Sequence, residues 1–110
     1  MKRVDKKAIA EVFEAVAVVF QNPKCWTTNA FERDVEEQNT CADAKDAASF
    51  CLIGACEAAA KTLHVDQFKV LETLGRELPE DIVDFNDGSL GPARVVRKLY
   101  QIAENLKERA

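Results

Sequence analysis

Apolar residues recur along most of the chain at three- and four-residue steps, the spacing of a helix that buries one face. Between Val4 and Gln21 the stripe is Ile9, Val12, Phe13, Val16, Val19 and Phe20, with Glu11 and Glu14 off it. This is the first expected helix. Asp5 is placed to cap its start, and Asn22-Pro23 ends it, because the residue before proline disfavours helical geometry. After a connector from Pro23 to Trp26, Thr27 or Thr28 is placed to cap a short second helix through Ala30, Phe31 and Asp34 to about Val35. Trp26, just ahead of that cap, can staple onto its first turn. Glu36 to Ala42 is polar and irregular and reads as a loop.

The pattern then changes character. Ala47 to Leu63 is rich in small residues, and Ala47, Cys51, Gly54, Ala55 and Ala58 share one helical face. Small side chains let neighbouring helices approach closely, so this stretch is expected to be the helix around which the rest packs. Asp43 or Asp46 would cap it. Gly54 costs about 1 kcal/mol relative to alanine inside a helix, and a close crossing at Gly54 and Ala58 would account for it. Asp66 then caps a helix to about Leu78 with the stripe Val70, Leu71, Leu74 and Leu78, stopped by Pro79. Pro79 to Asp84 can add a single turn, and Phe85-Asn86-Asp87-Gly88 carries the residues of a tight turn. Pro92 suits a first helical position. The final helix, to about Glu108, turns Val95, Leu99, Ile102, Ala103 and Leu106 inward. No alternating strand pattern and no internal repeat is present. The expected fold is all-α, a compact bundle of about five helices forming one domain over residues 1–110.

Composition narrows the function classes. The chain is 47% hydrophobic and 31% charged over 110 residues, which suits a packed core rather than a disordered chain. Its net charge of −4 argues against a general nucleic-acid binder, which needs clustered cations to release counterions. The charge is uneven, however. Residues 1–7 hold four basic groups and one acid, residues 92–110 five basic and two acidic, and residues 66–88 seven acids and two basic groups. If the two termini pack together, their cations could form one basic face. No apolar run reaches the ~20 residues of a membrane span. The basic N-terminus leads into an amphipathic stripe rather than a signal-peptide core. The expectation is a cytoplasmic protein with reduced thiols and no membrane association.

The candidate chemistry is sparse. Cys25, Cys41, Cys51 and Cys56 contain no C-x-x-C pair, and His64 is the single histidine. Cys51 and Cys56 stand about 140° apart around one helix, which is unsuited to ligating one ion, so no metal site is expected. His64 lies about two turns from Cys56, too far along a helix for a Cys–His nucleophile pair. Glu32, Asp34, Glu36 and Glu37 read as caps and solvated acids. Gly88 to Gly91 lacks the lysine and preceding strand of a phosphate loop. No catalytic residue and no cofactor is expected.

Trp26-Thr27 followed by Ala30 and Asp34, then Cys51, Gly54 and Ala55, then Phe85-Asn86-Asp87, form an ordered set of short motifs. The pattern W-T-x-x-A-x-x-x-D, C-x-x-G-A, aromatic-N-D resembles a family of small helical proteins of unknown function from actinobacteria, other bacteria and phages. The resemblance spans roughly residues 8–106. It implies a shared all-α fold, a bacterial or phage setting, and a possible shared site at these positions. The polar and half-polar groups Trp26, Asp34, Asn86 and Asp87 are the candidate ligand- or partner-binding residues. A structural role competes with that reading, since Asn86 or Asp87 can satisfy orphan N–H groups at a helix start. The functional expectation is a non-enzymatic protein-interaction or regulatory module, phage-encoded and acting on a host protein. The alternative is a small-ligand binder or enzyme using the Trp26, Asp34, Asn86 and Asp87 neighbourhood. The expected partner is another protein, with nucleic acid a weaker third possibility through the basic terminal helices.

Overall fold

In the computed structural model, which describes residues 2–21, 32–34, 47–50, 52–79, 81–88 and 92–109, the apolar stripe near the N-terminus becomes helix α1 (Lys6–Phe20). Asp5 caps it as its chemistry requires, its carboxylate accepting the Ala8 N–H at 3.4 Å. Ile9, Val12, Phe13, Val16 and Phe20 are buried, and so are Ala8, Ala10 and Ala17 beside them. α1 is therefore buried over much more than one stripe. The C-terminal helix α5 (Pro92–Arg109) lies antiparallel along it, and α2 (Leu52–Leu63) and α3 (Gln67–Glu77) cover further faces. The antiparallel register is fixed by Lys107 on Glu14 at 2.7 Å and by Gln21 on Tyr100 at 2.9 Å. A short helix α4 (Ile82–Gly88) packs on α2 and leads towards α5. Proline starts α5, and Val95, Leu99, Ile102, Ala103 and Leu106 are all buried, as their spacing predicts. The all-α class holds.

Several local expectations are corrected. Residues assigned to the second helix form strand β1 (Glu32–Asp34), which pairs antiparallel with β2 (Ala47–Phe50) in the register Glu32↔Phe50, Arg33↔Ser49, Asp34↔Ala47. The four residues of β2 belong to the stretch whose spacing predicts the small-residue helix, and the helix spans Leu52–Leu63. A pairing between segments this far apart in sequence leaves no alternation in runs of three and four residues, and alanine-rich sequence favours helix locally. The Phe85–Gly88 turn is instead the end of α4. The 36–42 loop and the Asp43 and Asp46 caps lie outside the described residues.

The packing face of α2 is also rotated from the expected one. Leu52, Ala55, Cys56, Ala59 and Ala60 are buried, while Gly54 and Ala58 are half-buried. The fully buried small residues of α2 are thus Ala55, Ala59 and Ala60, and Ala58 packs partly buried against the core. Nor is α2 the hub; α1 carries the most buried residues of any described helix.

The C-terminus of α2 closes in a Schellman arrangement. Val65 N–H donates to the Ala60 carbonyl at 2.9 Å and His64 N–H to Lys61 at 3.3 Å, with His64 at φ +58° and Val65 buried against the core. The N-terminal segment reinforces this end. Arg3 N–H donates to the His64 carbonyl, and Asp66 N–H donates to the Arg3 carbonyl, each at 2.8 Å. The Arg3 guanidinium reaches the Leu63 carbonyl at 3.4 Å and Glu11 at 3.2 Å. Asp66 caps α3 through the N–H groups of Phe68 and Lys69, and Leu78 leaves the helix at ψ 148° ahead of Pro79.

Two stability predictions follow from this geometry. A Cβ built on Gly75, within α3, meets nothing within 4 Å, so Gly75→Ala is expected to stabilise by about 0.5–1 kcal/mol. Ala60→Leu, at a fully buried position, is expected to overpack and cost about 1–3 kcal/mol. Urea unfolding of both variants checks the two signs together. At His64, a β-branched residue would meet the left-handed backbone with its full steric cost of about 1–2 kcal/mol. His64→Ile should therefore lower the unfolding midpoint and His64→Gly should hold or raise it.

Candidate functional site

Asn86 is one of two buried polar residues among those described, the other being Thr73. It sits in α4 with its amide aimed at the first turn of α2, where its Oδ1 accepts the Leu52 N–H at 3.1 Å. The first N–H groups of a helix lack partners within it, and here a side chain 34 residues away supplies one. That is the structural role that the sequence chemistry allowed for Asn86. Phe85, buried beside it in sequence, carries the Arg94 guanidinium over its ring at 4.5 Å from the centroid. The junction of α2, α4 and α5 is therefore built on two adjacent residues, one polar and one aromatic.

Of the four candidate residues, Asn86 alone has a described side chain. Trp26 lies outside the described residues. Asp34 ends β1 opposite Ala47, at the end of the ribbon remote from α2 and about 10 Å along the strand from Phe50. Asp87 lies in α4, and its side chain, like that of Asp34, is outside the described residues. Of the cysteines, Cys56 is fully buried in the core, and Cys25, Cys41 and Cys51 lie outside the described residues.

Two surface grooves flank the N-terminal half of α5 instead. One, of about 440 Å³, is lined by Pro79, Phe85, Arg94, Arg97, Lys98 and Gln101. The other, of about 430 Å³, is lined by Phe20, Gln21, Pro92, Ala93, Val96 and Arg97. Arg97 stands between them. Beside the second groove, Val18 is 59% exposed and Tyr100 38% exposed. Val18 lies four residues after Glu14 and three before Gln21, so it shares their face on the seam with α5. Along the seam α1 presents Val18 and α5 presents Tyr100, Val96 and Ala93, and Gln21 Nε2 donates to the Tyr100 hydroxyl across it.

The terminal cations do not form a single face. Although α1 and α5 pack together, their antiparallel course leaves Arg94, Arg97 and Lys98 at one end and Lys2, Arg3, Lys6 and Lys7 at the other. At that far end Lys107 pairs with Glu14, Arg109 with Glu77 at 3.0 Å, and Arg3 with Glu11.

A family model matches residues 5–105, nearly the whole described span. The chain belongs to DUF6197, a family of unknown function. The resemblance read from the ordered motifs is borne out at that level. No curated protein and no solved structure matches the chain. DUF6197 brings no activity with it, so function here rests on the geometry. The grooves beside α5 escaped the sequence reading because their walls come from α1, α4 and α5 and from Pro79 beyond α3. The one local signal was the trio Arg94, Arg97 and Lys98 at the start of a helix, where cations oppose the dipole.

Removing the Asn86 amide leaves the Leu52 N–H buried and unpaired, which costs about 1–3 kcal/mol. Asn86→Ala should therefore lower the free energy of unfolding by that amount in urea titrations. An unchanged value would mean that Asn86 is not needed to close α2.

Proposed function

We infer that this member of DUF6197 is a non-enzymatic protein-interaction module that works in the cytoplasm of a bacterium or of a phage-infected host. The observation that carries the reading is the pair of exposed apolar side chains on the α1–α5 seam. Val18 and Tyr100 are exposed there beside a groove floored by Phe20. Singly exposed apolar residues such as Phe68 on α3, 77% exposed, need no explanation. Exposed apolar side chains on both helices of the seam, beside a groove lined by Gln21 and Arg97, have the make-up of a partner surface. Its position on the two longest helices gives a rigid platform, which lowers the ordering cost of association. Regulation of a host protein by a phage-encoded chain is one setting in which a small acidic module of this kind would act.

The second reading, a ligand pocket or enzyme site formed by Trp26, Asp34, Asn86 and Asp87, has weaker support. The Asn86 carbonyl oxygen is committed to the Leu52 N–H, and Asp34 stands at the remote end of the ribbon.

The test compares affinity capture from host lysate by the natural chain, Val18→Glu and Tyr100→Ala. Val18 is at the surface, so Val18→Glu should change stability by no more than about 0.5 kcal/mol; Tyr100→Ala also loses the bond from Gln21, so thermal melts of both variants establish that they are folded. A protein retained by the natural chain and lost by both variants is the expected result. Equal retention by all three would move the contact away from the seam.

A further inference from the structure

We propose that the α1–α5 seam receives a second copy of this chain, with α5 of one copy antiparallel to α5 of the other about a two-fold axis beside Tyr100. The proposal rests on the reading of the seam as a partner surface, and it names the partner. A two-fold contact is self-complementary, so each residue on one side of the axis must suit the residue of the other copy that faces it. The exposed face of α5 meets that condition.

Ala93, Arg97, Tyr100 and Glu104 recur at steps of four, three and four residues, so they share one face of the helix. All four are exposed. This is the spacing by which one helix packs along another. Tyr100 stands at the middle of α5, which spans Pro92–Arg109. At 1.5 Å per residue, Arg97 lies about 4.5 Å along the axis on one side of it and Glu104 about 6 Å on the other. An antiparallel second helix centred beside Tyr100 therefore brings Arg97 of each copy level with Glu104 of the other, to within about 2 Å along the axis. A parallel second helix would set Arg97 on Arg97 and Glu104 on Glu104, so the order of charges selects the antiparallel arrangement.

Among the described residues neither Arg97 nor Glu104 meets an opposite charge, whereas Lys107, further along the helix, already pairs with Glu14. An unpaired charge by itself marks nothing on this molecule, since Lys2, Lys7 and Lys61 meet no carboxylate among the described residues either. Opposite signs at matched distances about an exposed aromatic residue are what fit a copy of the same chain. The apolar groups fit it too. Ala93 and Val96 line the groove beside Phe20, and Val18 is exposed on α1. An axis that relates α5 to itself relates α1 to itself, so Val18 enters from both copies. The bond from Gln21 Nε2 to the Tyr100 hydroxyl, at 2.9 Å, places the Tyr100 side chain before the copies meet, which lowers the ordering cost of association. Tyrosine and arginine are also the residue types enriched where protein surfaces pair.

The experiment is sedimentation velocity of the full chain from micromolar to millimolar concentration, run on the natural chain, Arg97→Glu, Glu104→Arg and the double variant carrying both. The natural chain is expected to pass from monomer to dimer as concentration rises. Each single reversal sets like charges against each other twice in the dimer, and should weaken association about tenfold or more. The double variant restores opposite signs at both places and should return association to the natural value. Both side chains are exposed, and circular dichroism melts establish that all variants are folded. A natural chain that stays monomeric at millimolar concentration would overturn the proposal. So would a dimer that neither single reversal weakens, or one that the double variant fails to restore. A chain that stays monomeric, yet captures a lysate protein that Val18→Glu loses, would leave the seam a partner surface and remove the second copy from it. A dimer with the expected dependence on Arg97 and Glu104, beside a captured protein held equally by Val18→Glu, would keep the second copy on the seam and move the other partner elsewhere.

Discussion

The packing of α1 against α5 is the interaction on which the remaining structure depends. α1 buries Ala8, Ile9, Ala10, Val12, Phe13, Val16, Ala17 and Phe20, more than one amphipathic stripe provides. A helix buried on that many sides must be surrounded, and α5, α2 and α3 surround it. Each fully buried Val, Ile or Phe side chain contributes about 1.5–3 kcal/mol relative to exposure. The α1–α5 seam therefore outweighs the surface ion pairs along it, which are worth about 0–1 kcal/mol each. Those pairs, Glu14 with Lys107 among them, set register more than stability.

With that pair in place, α2 becomes a dependent element. Its two ends are closed by residues distant in sequence, Asn86 at the start and the Arg3 segment at the finish. Both closures require α1 and α4 to be in position first. A short, alanine-rich helix has marginal stability alone, so the tertiary frame gives this one its ends. The same frame creates the two surface grooves. Both border α5, and both exist only because α5 lies antiparallel to α1 with α4 folded beside its start.

The charge distribution has a related logic. Three of the seven acids of residues 66–88 have these roles: Asp66 caps α3, Glu72 lies between Lys69 and Arg76, and Glu77 reaches across to Arg109. The basic C-terminal turn of α5 suits the negative end of its dipole and is paired. Arg94, Arg97 and Lys98, in its first two turns, stand against the dipole instead, a contrast within one helix that no count of charges would reveal.

The sequence by itself determined the elements whose signals are local. The α1, α3 and α5 stripes, the Asp5 and Asp66 caps, the stop at Pro79 and the start at Pro92 all follow from side-chain spacing and backbone chemistry within a few residues. The resemblance to a family of unknown function was read from the sequence too, and the family model over residues 5–105 bears it out at that level. The tertiary structure decided everything that depends on residues far apart. Ala47–Phe50 became a strand because it pairs with Glu32–Asp34, against the helical preference of its alanines. The buried face of α2 was selected by where α1, α3 and α4 lie, so Ala55, Ala59 and Ala60 turn inward and Gly54 only partly does. Asn86 acquired its role from a helix 34 residues upstream, and the grooves from walls on three helices. Local chemistry can specify a helix and its ends, but the orientation of one helix against another is a property of the packed whole, and both grooves are made of that orientation.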